Sequence, residues 1–292
     1  MRAGIVSLIN STLNNNLKHK MAKSKPRKKI VKQSFKKTKE LNFLHSGNIE
    51  DIIYSLPFII SKGGGNIYIK DRKFNSTEEG GQISLIKRFL EKQPYIKKVL
   101  EYPEEYGDKH SDINNYNIQK DNLLQMLIYP VIYSPDIKID FDLDSFRLSP
   151  YLFKEHLITS YFTYFESKPK LKLPFININN QSIFCKNNYI IFSVTNNEYD
   201  WSKVVEDSRN KLKYFVGDEG ECNKFSEKYN CKIKYIKTED IYELAMLIKD
   251  CERIYCTKST SLSLAIALNK PYILNSEDNY IHTKLTIETI LT

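Results

Sequence analysis

Two rhythms of apolar and polar residues take turns along this chain from residue 41 onward. "LNFLHS" is a short apolar run bounded by polar residues, the mark of a buried strand, and behind it Ile49, Ile52, Ile53 and Leu56 fall at helical spacing. "GNIYIK" (Gly65–Lys70) predicts a second strand, "GQISLIKRFLEKQ" an amphipathic helix and "IKKVLEY" a third strand. Residues 103–125 are polar and irregular and predict a loop bordering a cleft. "KIDFDLD" alternates as an edge strand or extended loop does, and "YLFKEHLITSYFTYFE" (Tyr151–Glu166) carries its aromatics at helical spacing. "SKPKLKLPF", with two prolines and a run of lysines, reads as a linker.

Beyond that linker the alternation restarts. "NYIIFSVT", "LKYFVG", "KIKYI", "RIYCT" and "PYIL" predict strands. Between them "DWSKVVEDSRNK", "ECNKFSEKYN", "TEDIYELAMLIKDC" and "STSLSLAIALN" predict helices, with Thr238 as an expected N-cap and Asn269 at a C-cap position. Strand and helix in strict alternation predict an α/β fold of two doubly wound parallel sheets.

Composition refines this picture at one end. The formal charge of +9 is concentrated in residues 1–39, which hold 12 of the 44 Lys/Arg and no acid, so the remainder carries 32 basic against 35 acidic residues. A run such as "KHKMAKSKPRKKIVKQSFKKTK" is expected to be a disordered, solvated arm. Attraction to nucleic acid or to an anionic surface through residues 18–39 is its alternative use. No apolar run approaches the roughly 18 residues of a membrane span, and "AGIVSLI" is short for a signal core, so a cytoplasmic protein is expected. The five cysteines form no CxxC pair, and Cys251 and Cys256, flanking a predicted strand, read as buried thiols of a reducing compartment. The five histidines are scattered, and no metal or cofactor is expected.

Chemistry is expected where strands end. In "HSGNIEDIIYSLPFI" the turn Ser46-Gly47-Asn48 leads into a helix whose first turn holds Asp51. An acid there suits the helix dipole, a role Glu50 fills already, but it also has the reach a general base needs beside a small-residue turn. In "CTKSTSLSLAIALNKP" a strand ends at Thr257, followed by Lys258, the hydroxyls Ser259, Thr260 and Ser261, and a small-residue helix. Hydroxyls and amides at a helix start suit a diphosphate, although Ser and Thr are also preferred as plain caps. "FVGDEGECNKF" places Gly217 and Glu219 after another strand, as ordinary helix-start acids or as contacts to a nucleotide. No Walker loop and no GxGxxG opens either half.

"SGNIEDIIYSLP" resembles the opening motif of the bacterial ADP-heptose:LPS heptosyltransferase family, in which a small-residue turn precedes Gly-Asp and an apolar stretch closes on Leu-Pro. "DIYELAMLIKDCERIYCTKSTSLSLAIALNKPYIL" resembles that family's C-terminal segment, and "EKQPYIKKV" and "IDFDLDSFR" are similar to a phage-borne, glycosyltransferase-like branch. The resemblance implies a GT-B fold of two Rossmann-like domains facing across a cleft. It divides the chain into the arm 1–39, an acceptor domain 40–167, a linker 168–187 and a nucleotide-sugar domain 188–292. It further implies metal-independent, inverting transfer of a sugar from a nucleotide-sugar donor to an acceptor hydroxyl. In that scheme Asp51 is the base, Ser46, Gly47 and Asn48 line the acceptor side, Thr257 to Ser261 hold the donor phosphates, and Gly217 and Glu219 lie near the nucleotide. The acceptor is left open among a glycan, a lipid-linked sugar and a modified nucleic acid. Two positions depart from the family: Glu50 stands where it has Gly, and Cys256-Thr257-Lys258 replaces its Asp-Thr pair. They keep open a catalytically silent nucleotide-sugar-binding protein, and the arm keeps open a nucleic-acid-associated one.

Overall fold

The computed structural model describes residues 40–46, 48–70, 82–103, 134–148, 156–169, 171–180, 189–195 and 200–274. The basic arm, Gly47, nearly all of the expected 103–125 loop and the chain after Leu274 lie outside these residues.

The first sheet is parallel and four-stranded, built from β1 (Leu41–His45), β2 (Gly65–Ile69), β3 (Ile96–Glu101) and β4 (Phe141–Asp142) in the order β3-β2-β1-β4. Helix α1 (Ile49–Ser61) crosses from β1 to β2 and α2 (Gln82–Glu91) lies between β2 and β3. "KIDFDLD" becomes the short edge strand β4 against β1 and runs on into a 3₁₀ helix, Leu143–Leu148. Helix α3 (Leu157–Tyr164) follows and packs on α1.

The second sheet contains β5 (Tyr189–Ser193), β6 (Leu212–Phe215), β7 (Lys234–Tyr235), β8 (Arg253–Cys256) and β9 (Tyr272–Leu274), again all parallel, in the order β7-β6-β5-β8-β9. Its crossovers are α4 (Ser202–Asp207), α5 (Glu219–Lys228), α6 (Ile241–Asp250) and α7 (Thr260–Ala267). Both sheets therefore reverse their winding direction once, the first between β1 and β4, the second between β5 and β8. Such reversal points open a crevice at the carboxyl ends of the strands, where ligands of doubly wound sheets bind.

Alternation along β5 and β8 sorts the second half into two cores. Tyr189, Ile191, Ile254 and Cys256 join one large cluster that also takes in Phe43, Ile52, Leu56 and Phe58 of the first half. Ile190, Phe192 and Tyr255 face the other way, onto Trp201 and Phe225. The shared cluster arises because α1 packs on α7 and α2 on α6. Arg88 on α2 adds a hydrogen bond to Asp240 at 2.9 Å, and burial of Leu171, Phe175, Ile176 and Ile178 packs the linker segment against the same core.

Most helix ends form where the residue types place them, with one correction. The N-cap of α6 is Asp240, whose Oδ1 accepts from the Glu243 amide at 2.8 Å, rather than Thr238. Glu243 reciprocates by accepting from the Glu239 amide at 3.0 Å, so a carboxylate box closes the helix two residues later than the first available hydroxyl. Asn269 holds φ 56° and ends α7, with the Lys270 amide donating to Ala265 O at 2.8 Å.

Candidate functional site

At the reversal point of the first sheet, β1 ends in the buried His45 and Ser46. Asn48 caps α1 by accepting from the Asp51 amide at 3.0 Å. This places Glu50 and Asp51 in the first helical turn with their carboxylates near the positive end of the dipole. Asp144, from the 3₁₀ helix that follows β4, holds the turn from below. Its Oδ2 accepts from the Ser46 amide at 2.8 Å and its Oδ1 stands 3.4 Å from His45 Nδ1. His45 Nε2 is 3.1 Å from the Tyr161 hydroxyl on α3, and that hydroxyl donates to the Asp51 carbonyl at 3.1 Å. A buried chain of polar groups thus runs from Asp144 through His45 and Tyr161 to the backbone of the expected base.

At the reversal point of the second sheet, hydroxyls from β5 and β8 interlock. Thr257 Oγ1 accepts from the Thr195 amide at 3.1 Å and lies 3.0 Å from the Thr195 hydroxyl. The Ser193 hydroxyl donates to Ser261 Oγ at 2.8 Å beneath the start of α7. Ser259 occupies the N-cap position in extended conformation, but its hydroxyl donates to Thr257 O at 3.2 Å and makes no capping bond to the helix. The backbone carbonyl of Ser259 takes the Leu262 and Ser263 amides. Among the described residues the amides of Thr260 and Ser261 have no acceptor. Lys258 is exposed on the intervening loop. Gly217, at φ 122°, and Glu219 are exposed at the neighbouring carboxyl end of β6, where Asp218 caps α5.

A hydrogen bond joins the two points. Thr260 Oγ1 donates to Glu50 Oε1 at 2.9 Å across 210 residues of sequence. The acid next to the expected base therefore touches the first residue of the helix expected to hold phosphate. Of the two departures from the family, Glu50 is the one with a visible consequence: its carboxylate lies at an anion-attracting helix end.

Two buried neighbours of this junction stay uncharged. Tyr54, on α1, is buried, and its phenol is held well above the ordinary value by burial first and then by the nearby Glu50. Burial pushes the Cys256 thiol up to about 12. Both stay neutral near pH 7 and serve as packing. Asp51 and the 257–261 hydroxyls are legible in the sequence, whereas His45, Asp144, Tyr161, Ser193 and Thr195 emerge only in the fold. The available signal was a histidine ending an apolar strand and polar residues ending two others, positions that topology turns toward the crevice.

A separate concavity lies away from this junction. A cavity of about 1120 Å³ is lined by the segments entering β6 and β7, including Arg209, Lys211, Lys213, Lys228, Lys232 and Lys234. Internal partners engage several of these cations: Lys213 donates to Ser208 O at the end of α4, Lys211 pairs with Glu252, and Arg209 lies 3.3 Å from Glu206. Among the described residues no group of three or more His, Cys, Asp or Glu is arranged to hold a metal ion, and no helix is long and apolar enough to cross a membrane.

No protein-family model and no curated protein matches the sequence. Solved structures do match in fold. *Escherichia coli* heptosyltransferase WaaC with ADP superposes with a TM-score of 0.54 at 10% identity, over 84% of this chain and 90% of that one. The same enzyme with ADP-2-deoxy-2-fluoro heptose gives 0.51 at 9% identity, over 83% and 92%. A glycosyl transferase family 9 protein from *Veillonella parvula* gives 0.50 at 10% identity, over 84% and 82%. The chain thus shares with these glycosyltransferases the two-sheet α/β architecture of GT-B type.

Proposed function

We propose that this protein is an inverting, metal-independent glycosyltransferase that moves a sugar from a nucleotide-sugar donor to an acceptor hydroxyl. The observation that carries the reading is the Glu50–Thr260 hydrogen bond, because it brings the first turn of α1 and the amino end of α7 to one place. A donor diphosphate on the Thr260 and Ser261 amides, with Ser259 and Lys258 beside it, would direct its sugar toward Asp51. Asp51 would accept the proton of the attacking hydroxyl while the helix end stabilises the departing nucleoside diphosphate. Thr257 and Ser261 shape this site from beneath through Thr195 and Ser193. Ser46 and Asn48 set the acceptor-side turn, and Gly217 and Glu219 lie at the strand end where a nucleoside could extend. The fold shared with heptosyltransferases supports a nucleotide-sugar donor; the acceptor is a hydroxyl of a glycan, a lipid-linked sugar or a modified nucleic acid, met in the cytoplasm. A domain division near residues 168–187 belongs to the same reading.

The test is donor turnover by the full chain. Nucleotide sugars are incubated with the protein and released nucleoside diphosphate is measured, with and without acceptor extracts. Asp51→Asn is expected to lower turnover by about 100-fold or more while leaving nucleotide affinity intact. Undiminished turnover in that variant would remove Asp51 from the mechanism. A silent binding protein is the second reading, favoured by one observation: the Glu50 carboxylate already sits at the helix end that a diphosphate would use. Nucleotide-sugar binding with no turnover on any acceptor would select it.

A further inference from the structure

The polar chain beneath Asp51 limits where its protons can sit. Tyr161 donates its single proton to the Asp51 carbonyl, 3.1 Å away, since a carbonyl can only accept. The Tyr161 oxygen lies 3.1 Å from His45 Nε2 and can then only accept, so Nε2 carries a hydrogen. The other ring nitrogen, Nδ1, faces the Asp144 carboxylate at 3.4 Å, where a bare nitrogen lone pair would confront a carboxylate oxygen. A hydrogen there replaces repulsion with an ion pair. The imidazole is fully buried, where an unpaired charge is costly and a paired one is tolerated.

We infer that His45 is a buried imidazolium paired with Asp144, and that this pair is the positioning device for Asp51. The second clause rests on the glycosyltransferase reading; the first does not.

The described groups that approach the ring come from several elements. Asp144, after β4, supplies the negative charge, and its own amide donates to Asp142 Oδ1 at 3.1 Å. Tyr161 comes from α3 and contributes a hydroxyl. Lys70, after β2, donates its amide to His45 O at 2.9 Å but carries its ammonium over the Tyr102 ring, 6.0 Å from the centroid. Glu50 and Asp51 are the acids of the first turn of α1. The pair acts on Asp51 through the backbone. Asp144 grips the Ser46 amide and Tyr161 grips the Asp51 carbonyl, so both ends of the turn that carries the base are fastened to one ring. The orientation of that base is thereby set before substrate arrives.

The charge is read by nuclear magnetic resonance on full-length protein labelled with ¹⁵N-histidine, with His45→Gln assigning the His45 signals among the five histidines. At pH 7.5 both His45 nitrogens are expected to show the shifts of a protonated ring; a neutral tautomer at that pH would overturn the charge assignment. The role is read from donor turnover and donor affinity measured separately. His45→Gln is expected to lower kcat by about tenfold or more and to leave nucleoside diphosphate affinity unchanged. His45→Lys, which keeps a cation, is expected to recover part of the rate. A His45→Gln variant with undiminished kcat would overturn the positioning role. Retained activity in Asp51→Asn would instead sink the glycosyltransferase reading, and the positioning role with it, while the ring's charge would still be decided by the resonance data.

Discussion

At the scale of single residues, Glu50 has the most consequence. It precedes the proposed base Asp51, and its carboxylate accepts from Thr260 at 2.9 Å. A carboxylate at a helix amino end is stabilising in itself, by about 0.3–1 kcal/mol at exposed sites. A diphosphate arriving at the same end must displace it or bind beside a like charge. Glu50→Gln is therefore expected to tighten nucleoside diphosphate binding by about twofold to fivefold, measured by titration calorimetry, because it removes a repulsion of about that energy. Weaker binding in Glu50→Gln would mean that the carboxylate contacts the ligand favourably, for instance through a ribose or sugar hydroxyl. Sequence alone could name Glu50 as a departure but could not say where it goes. Its partner is 210 residues away, and no local pattern encodes such a meeting.

At the scale of elements, the sequence was informative wherever local physics decides. The strands and helices of both halves were legible from period and turn residues, since each buries one face against its own sheet. Two glycines after α1 illustrate why: Gly63 and Gly64 hold φ 91° and 81°, and a Cβ on Gly64 would stand 2.1 Å from Tyr95 O. Gly64→Ala is expected to destabilise the fold by about 2–3 kcal/mol or more, combining left-handed strain with a backbone clash, in a urea unfolding measurement. Less legible were ends settled by competition among several caps. Thr238, Glu239 and Asp240 are consecutive, and Asp240 prevails because its carboxylate caps α6 and also receives Arg88 from α2. Asp240→Ala should cost about 1–2 kcal/mol, nearly all of it from the lost cap, because Arg88 is 47% exposed and such pairs contribute little. A loss that falls steeply with added salt would shift the credit to the ion pair. The polar chain Asp144–His45–Tyr161 was illegible for a further reason: its members come from β1, the 3₁₀ helix and α3, and the β1–β4 pairing together with the packing of α3 on α1 assembles them.

At the scale of the whole molecule, two parallel sheets place their reversal points against each other through the α1–α7 contact. The shared core that does this is apolar and holds two thiols, Cys251 and Cys256, each pushed up to about 12 by burial. Their folded values lie above the ordinary value of 9.0, so above that pH the unfolded chain loses protons that the folded chain keeps. Stability from these groups is accordingly intact below about pH 9 and drains away as pH rises toward about 12. Melting temperature should fall with pH across that window, and neither thiol should react with iodoacetamide at pH 8 before unfolding; prompt labelling of Cys256 would show that the core between the sheets opens. The most direct test of a donor site is the melting temperature of the full chain against ADP, GDP, UDP, CDP and their sugar conjugates. At least one nucleoside diphosphate is expected to raise it, by about 5 °C or more at a hundredfold excess over its dissociation constant. The rise should shrink in Ser259→Ala and persist in Asp51→Asn. If none of these ligands raises the melting temperature at any concentration, the amino end of α7 is not a diphosphate site and the proposed transfer has no donor.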